Sequence, residues 1–472
     1  MTVQFPFEEV SIWLSAPDDR RPRLREDVRA DVAVIGGGYT GLSTALSLRK
    51  EGADVVVLER DFAGSGASGR NAGHVAPTIG KDLPTLLRMF GEERASKLVR
   101  FADHAVDYAV GLMQSYDIEC NYIPHGNIMA AVHPKHTDRL RNAADLGRRL
   151  GGDVAFLTET DMRDLGIPGA FLCGVHERRG GIFQPGLFAL GLRKAAIEAG
   201  VRLYEGTPVR RIEEGKSARV HCDEAIVTAD SIVVATNAYT NALGYNKRAV
   251  APLRVSQFET EPLSDAQLEA LGWRGREGIY TAHEALENYR LTADNTIVGG
   301  SKVVSYAYGS ALPEPYDVRA FEGITSAFRE RFPEFAELSM ATYWGGYIGF
   351  TLDFLPTLGT SATHRNVHHG YGYAGHGVPQ ACLMGDMLCA RVMGRRHAAE
   401  DALDRRVWNW PPEPLRWLAF TAIDRGLAMV DAITDRQVRR MNTSQRVLPA
   451  TNQENKSNLA TRTEKVKAEK CP

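Results

Sequence analysis

Cysteine is scarce in this chain. The six thiols, Cys120, Cys173, Cys222, Cys382, Cys389 and Cys471, form no CxxC pair and stand at no metal-ligand spacing from histidine. That excludes a disulfide framework and gives no reason to expect a metal centre; inert thiols in a reducing compartment are expected. An excess of either charge is also missing: 56 Lys and Arg against 58 Asp and Glu leave a formal charge of −2. With no basic block interleaved with aromatics, nucleic acid is not an expected partner. No uncharged apolar run approaches the ~18 residues a spanning helix needs. The first 30 residues carry acids and prolines where a signal peptide would carry an apolar core. A soluble cytoplasmic protein of two or three domains is expected at 472 residues.

What the chain does have is a glycine-punctuated α/β pattern. From residue 30 it reads strand, turn, helix, strand: "DVAVI", "GGGYTG", "LSTALSLRKEG", "ADVVVLER". Gly36, Gly38 and Gly41 make GxGxxG, and Glu59 closes the second strand 23 residues beyond Gly36. In such a unit the first glycine makes a tight turn, the second admits a pyrophosphate and the third lets helix pack on strand. The acid is placed for a ribose hydroxyl, and the helix N-terminus offers free N–H groups to phosphate. Tyr39, Thr40 and Arg60 flank these positions and join the candidate cofactor contacts. The second strand leads into "GSGASGRNAGHVAPTIG", residues 64–80, and the sheet resumes only about 100 residues later. That interruption fits FAD, wrapped by distant segments, better than a nicotinamide cofactor.

Residues 85–150 read mostly as helix, and 184–200 as a helix with proline in its first turn and glycine at its end. "VRLYE", "PVRRIEE", "SARVHC" and "EAIVT" read as an antiparallel insert, with "ADSIVVATNAY" a separate buried strand returning to the main sheet. Residues 250–343 read as a distinct α+β unit. After a proline pair, "LRWLAFTAIDRGLAMVDAITDR" reads as one amphipathic helix whose apolar face docks on the body, since no basic face accompanies it. Residues 441–472 read as a disordered tail. A second glycine turn, "HHGYGYAGHGVPQACLMGD", opens another apolar helix but has no acid at a ribose-binding distance. Its N–H groups suit the negative pyrimidine edge of a reduced flavin, so one turn would hold the phosphates and the other the ring.

Taken in order, "DVAVIGGGYTGLSTALSLRKEGADVVVLER", "GSGASGRNAGH", "ADSIVVATNAYT", "GGYIGFTLDFLPTLG" and "GYGYAGHGV" resemble the D-amino-acid-oxidase superfamily of FAD enzymes, over about residues 10–395. "GASGRNAGH" and "YAGHGV" are most similar to its branch of gamma-glutamylputrescine oxidases and related amine oxidoreductases. The resemblance implies an α/β fold: a Rossmann-type, glutathione-reductase-like FAD domain with an interleaved α+β substrate domain on an antiparallel sheet. The FAD domain would comprise residues 28–82, 171–248 and 344–395, the substrate domain 83–170 and 249–343, with a helical arm over 396–440. It further implies that Ser68, Arg70, Asn71 and Gly73 lie along the pyrophosphate and ring, Val209 beside the adenine, and Gly375, His376 and Gly377 at the pyrimidine edge; Thr236 and Val378 are further candidate cofactor contacts. FAD is expected noncovalent, although His74 stands where some relatives attach flavin.

The chemistry implied is hydride transfer from the carbon beside an amine nitrogen, leaving an imine that hydrolyses; it needs position and a dry site more than a strong base. Sarcosine-type relatives carry a lysine after the GHG turn to hold a carboxylate, where this chain has Pro379; glycine-oxidase types carry proline–arginine where it has "NYRLTADN". A small α-amino acid is therefore not the expected substrate unless Arg290 substitutes as the clamp. Tyr289, Trp344 and Tyr347 are candidate pocket walls, Lys302 a candidate for oxygen activation, His376 a catalytic or cofactor-edge candidate, and Asp353 a turn residue. An amine oxidase using oxygen and releasing hydrogen peroxide leads. A dehydrogenase passing electrons to a quinone or carrier protein, a small amino acid oxidase and a non-catalytic FAD binder are the alternatives. Oligomeric state stays open.

Overall fold

The computed structural model describes residues 5–244 and 248–447. Two eight-stranded sheets organise it. In the first, Val28–Ile35 lies between Ile226–Val234 and Val55–Leu58, with Arg202–Tyr204 beyond the latter and Val367–Tyr371 beyond the former, all parallel. Thr357–Thr360 adds an antiparallel edge. These strands are nearly continuous apolar runs because both faces are covered. Val32, Val34, Val55 and Val57 pack under helices Tyr39–Lys50 and Gly377–Val392; Ala33, Ile35, Val56 and Leu58 face the ribbon of Arg211–Glu213 and Ala218–His221. The two helices touch closely: Ser43 Oγ donates to the Cys382 carbonyl at 2.7 Å, and a Cβ on Gly385 would come within 2.5 Å of Ser43.

The sequence reading divided "EAIVT" from "ADSIVVAT", but the structure makes Ile226–Val234 one strand. Its first half pairs antiparallel with Ala218–His221 while the whole strand runs parallel to Val28–Ile35. Arg202–Tyr204, read as part of the antiparallel insert, instead pairs parallel with Val55–Leu58.

The second sheet runs in the order Met340–Phe350, Ala251–Thr260, Ile297–Tyr306, Glu287–Leu291, Gly278–Thr281, Asn127–Ala131, Cys173–Glu177, Val154–Leu157. Pairing is antiparallel except between Gly278–Thr281 and Asn127–Ala131. Residues 344–350, read as the return to the FAD domain, pair with Ala251–Thr260 and belong here. Phe258, Tyr289 and Ile297 pack beneath helix Val318–Arg331, so the opposite face of this sheet is the one free to line a site.

The last helix, Leu415–Val447, continues past the expected boundary at 440, since no glycine or proline occurs between Arg440 and Val447. The rest of the expected tail, 448–472, lies outside the described residues. This helix docks on the body, but not by its apolar face: Asp431, Thr434, Asp435 and Val438 are buried, whereas Leu418, Met429, Val430 and Ile433 are exposed. No helix among the described residues is long and apolar enough to cross a membrane.

Candidate active site

The first glycine turn is built for close approach. Gly36 has φ +106°, and a Cβ on Gly41 would lie 1.8 Å from the Gly36 carbonyl oxygen, so no other residue fits there. Gly38 has no side chain with which to cap helix Tyr39–Lys50, so beyond the Tyr39 N–H its first turn keeps N–H groups for a ligand. Ser68 Oγ accepts the Tyr39 N–H at 2.9 Å, which brings the 64–80 loop onto the helix start. Glu59 is fixed by the turn itself: it accepts the N–H groups of Gly37 at 2.7 Å and Asp61 at 3.0 Å. Burial pushes its carboxyl up, against the pull of those N–H groups.

Gly36, Gly38 and Glu59 line a trough of about 330 Å³. Tyr39, Thr40, Arg60, Ser68, Asn71, Val209 and Thr236 line it too, bringing together segments up to two hundred residues apart in sequence. The Arg60 guanidinium covers the Tyr239 ring at 4.7 Å, a wall the sequence reading missed. Asn71 braces the loop, donating to the Ser68 carbonyl at 2.8 Å and accepting the Gly73 N–H at 3.0 Å. A Cβ on Gly73 would strike the Phe183 carbonyl oxygen at 2.4 Å.

The second glycine turn stands where this trough meets a larger cavity of about 490 Å³; Gly375 and Val378 line both, as do Ala67, Asn71 and Ile348. Gly377 opens the helix under the trough side, again with no side-chain cap. His376 faces the larger cavity, its Nδ1 3.0 Å from Thr78 Oγ1. Burial, then the charge of Lys81, lowers its pKa to about 4, so it is neutral near pH 7. His74, also on that cavity, pairs Nδ1 with Asn127 Oδ1 at 2.9 Å, and burial likewise holds it down at about 4.

Three expected site residues take other places. Tyr289 lies on the wrong face: side chains alternate along a strand, so its neighbour Asn288 reaches the cavity while Tyr289 packs on Phe332 with ring centroids 5.2 Å apart. Arg290 shares the Asn288 face but sits two residues farther on, donating to the Ala72 carbonyl at 2.6 Å and covering Trp13 at 4.9 Å. It props the loop and does not line the cavity, and its Nη2 has no hydrogen-bond partner among the described residues. Trp344 packs edge-on against Trp13 and donates to the Arg70 carbonyl at 2.9 Å, behind the same loop.

Lys302 does reach the cavity wall, but not as a free charge. A bulge puts Ser301 and Lys302 at φ 74° and 46° and turns the ammonium between Glu287 (2.6 Å) and Asp435 (2.9 Å). Burial alone would lower its pKa; the two carboxylates outweigh that and raise it. Arg331 completes the cluster, 2.8 Å from each acid. His283, Glu287 and Asp435 approach within 4.8 Å, a spacing that metal ligands also show, but the two cations already neutralise the acids. Tyr347 lines the cavity, with its hydroxyl donating to the Pro313 carbonyl. Arg70 lines it too, its Nε and Nη1 spent on the carbonyls of Ser65 and Gly345 at 2.7 and 3.0 Å. Asp353 is a turn residue, accepting the Leu355 N–H at 3.2 Å and pairing with Arg405.

A glycine turn at an uncapped helix start, an acid at ribose distance, and a second uncapped helix where the trough opens into a cavity together fit a flavin dinucleotide. A model of the FAD dependent oxidoreductase family matches residues 31–391. The chain belongs to that family. Among curated proteins, this FAD-dependent oxidoreductase is 30% identical over 378 residues to gamma-glutamylputrescine oxidoreductase of Escherichia coli K12, covering 79% of this chain and 85% of the relative. Among solved structures, it resembles glycine oxidase from Geobacillus kaustophilus (TM-score 0.68, 20% identity, 81% of this chain and 100% of the other). It is comparably similar to L-proline dehydrogenase from P. horikoshii (TM-score 0.67, 19% identity, 79% and 96%). The oxidoreductase thus has FAD as its cofactor, and the trough just described has the lining that fits its dinucleotide.

Proposed function

We propose that this oxidoreductase oxidises the C–N bond of a primary or secondary amine whose charged group lies away from the reacting carbon. The observation that carries this reading is the state of the cations around the cavity. Lys302 is paired with two carboxylates, Arg70 is committed to backbone carbonyls, Arg290 props a loop, and Pro379 follows the GHG turn where a clamp lysine would stand. Lys81, the other cation on the wall, lies over the Phe354 ring at 4.1 Å and stands at neither clamp position, so a carboxylate beside the reacting carbon lacks its usual partner. The likeness to a gamma-glutamylputrescine oxidoreductase supports the same direction.

Bound FAD, held noncovalently, supplies the hydride acceptor, and the imine left on the substrate is hydrolysed by water. The chain's own part is placement and field. The uncapped start of helix Gly377–Val392 presents about half a positive charge where the two cavities meet, favouring negative charge there. His74 and His376 are held neutral, so neither repels a positively charged amine on its way in. Leu253, Val255, Val304 and Phe350 give the cavity an apolar wall that limits water at the reacting carbon.

Oxygen is the proposed acceptor, with hydrogen peroxide as product. The pairing of Lys302 favours a second reading, in which electrons pass to a quinone or carrier protein, because the ammonium expected to assist oxygen is committed to Glu287 and Asp435. Mixing the FAD-loaded protein anaerobically with gamma-glutamylated amines, polyamines, N-methyl amines, glycine, sarcosine and D-alanine tests the substrate reading. Bleaching of the visible band by amines alone is expected; bleaching by a small amino acid alone would refute it. Readmitting air then decides the acceptor, through peroxide formed at a rate matching turnover or its absence.

A further inference from the structure

The roof of the larger cavity comes from outside the segment that matches the family. That match ends at residue 391, yet Trp410, Phe420, Ile423, Asp424 and Leu427 all line the cavity. They are supplied by helix Leu415–Val447 and the segment before it. Asp424, Asp431 and Asp435 are spaced by seven and four residues and share the inward face of this helix. Two of them clasp the body. Asp431 accepts the N–H groups of Glu284 at 3.0 Å and Ala285 at 2.8 Å, and Asp435 joins Lys302 and Arg331. Asp424 has no hydrogen bond or ion pair among the described residues, although it faces the cavity. Burial pushes its carboxyl up, opposed by the more distant charges of Arg319 and Arg425.

An independent feature lies on the sheet side. Gln257 and Asn288 are more than nine-tenths buried and line the same cavity, and the side-chain carbonyl oxygen of each is without a partner among the described residues. Asn288 has already used its Nδ2, donating to Ser301 Oγ at 2.8 Å. Buried acceptors left unmatched are costly, so a ligand that donates is what completes such a wall. Roof and floor together present three acceptor groups, one of them anionic.

We propose that helix Leu415–Val447 is the specificity element of this active site: Asp424 binds a second, protonated nitrogen of the substrate, remote from the bond being oxidised, while Gln257 and Asn288 accept N–H groups nearer the floor. The substrate class is then an amine carrying a second cationic nitrogen. This inference rests on the amine-oxidising reading above.

The test uses the full-length, FAD-loaded protein, with anaerobic flavin reduction by α,ω-diamines and by n-alkyl monoamines of equal length. The wild type prefers the diamine. Asp424→Asn lowers the diamine-to-monoamine ratio of kcat/KM by roughly fivefold or more, the scale of one partly screened ion pair, mainly through KM. Asp424→Glu restores most of the preference. An unchanged ratio in Asp424→Asn, with both amines still reducing the flavin, overturns the role of Asp424 and leaves amine oxidation standing. Failure of every amine to reduce the wild-type flavin overturns the reading beneath it as well.

Discussion

Replacing Asp435 by asparagine removes one of the two negative charges in the buried cluster that holds the C-terminal helix. As it stands, Arg331 and Lys302 balance Glu287 and Asp435, and the Arg331 side chain is 0% exposed. After the change, one positive charge is uncompensated in a site with little water. Breaking a buried pair from one side costs about 3–5 kcal/mol, and the low end applies because Glu287 still bonds both cations. At about 1.4 kcal/mol per decade, ~3 kcal/mol raises the population of the detached helix on the order of a hundredfold. Hydrogen exchange of peptides from 415–440 reads this directly, with peptides from the helix Leu83–Ser115 as internal control. The double variant Asp435→Asn/Lys302→Met removes one charge of each sign and recovers more than half of the protection. Wild-type exchange in Asp435→Asn, or simple addition of the two single losses, would refute the charge-balance reasoning.

Acid titrates the same clasp. Burial alone would raise Glu287, but Arg331 and then Lys302 outweigh it and hold its carboxyl down at about 2; Asp435 is depressed further by His283, Lys302 and Arg331. A carboxylate lowered in the folded state contributes stability above its ordinary value near 4, and loses it as pH falls through the folded value. The helix clasp therefore holds through mild acid and opens only towards pH 2–3, which a pH series of the same exchange experiment follows. The buried histidines act earlier: His74, His368, His369 and His376 are each lowered to about 4, so their unfolded forms take up protons first and stability declines from about pH 6.5 down to 4. Thermal melts across that interval should show a falling midpoint; a flat profile would contradict the burial of these rings. Gly41→Ala drives a Cβ into the Gly36 carbonyl and should yield protein without retained flavin, seen as lost visible absorbance per unit protein.

The cofactor half of the site was legible because its signals are local. Gly36, Gly38, Gly41 and Glu59 fall within 24 residues, and their spacing carries the geometry with it. Asn71, Val209 and Gly375 needed the resemblance, since nothing in their own neighbourhood says that they converge. The substrate half failed for definite reasons. Period-two alternation says that Asn288 and Tyr289 face opposite ways but not which way each faces, and the tyrosine was the more eye-catching residue. Lys302 is re-aimed by a bulge that leaves no mark in the hydrophobic pattern. The C-terminal helix was recognised by its amphipathicity, and its apolar face was expected to dock. A dock through buried carboxylates inverts the rule that the apolar stripe faces inward.

The interleaving of the two sheets constrains how the protein is made. Three neighbours of the parallel sheet, Val28–Ile35, Val55–Leu58 and Arg202–Tyr204, are complete by residue 204 and Ile226–Val234 follows, but Val367–Tyr371 with its following helix arrives more than 130 residues later. A nascent chain on the ribosome therefore holds half a nucleotide cradle for most of its synthesis, with apolar strand edges waiting for partners. Flavin loading becomes a late event, possible in full only after the chain has emerged past Val392. A cell short of flavin would thus accumulate finished but unfilled chains.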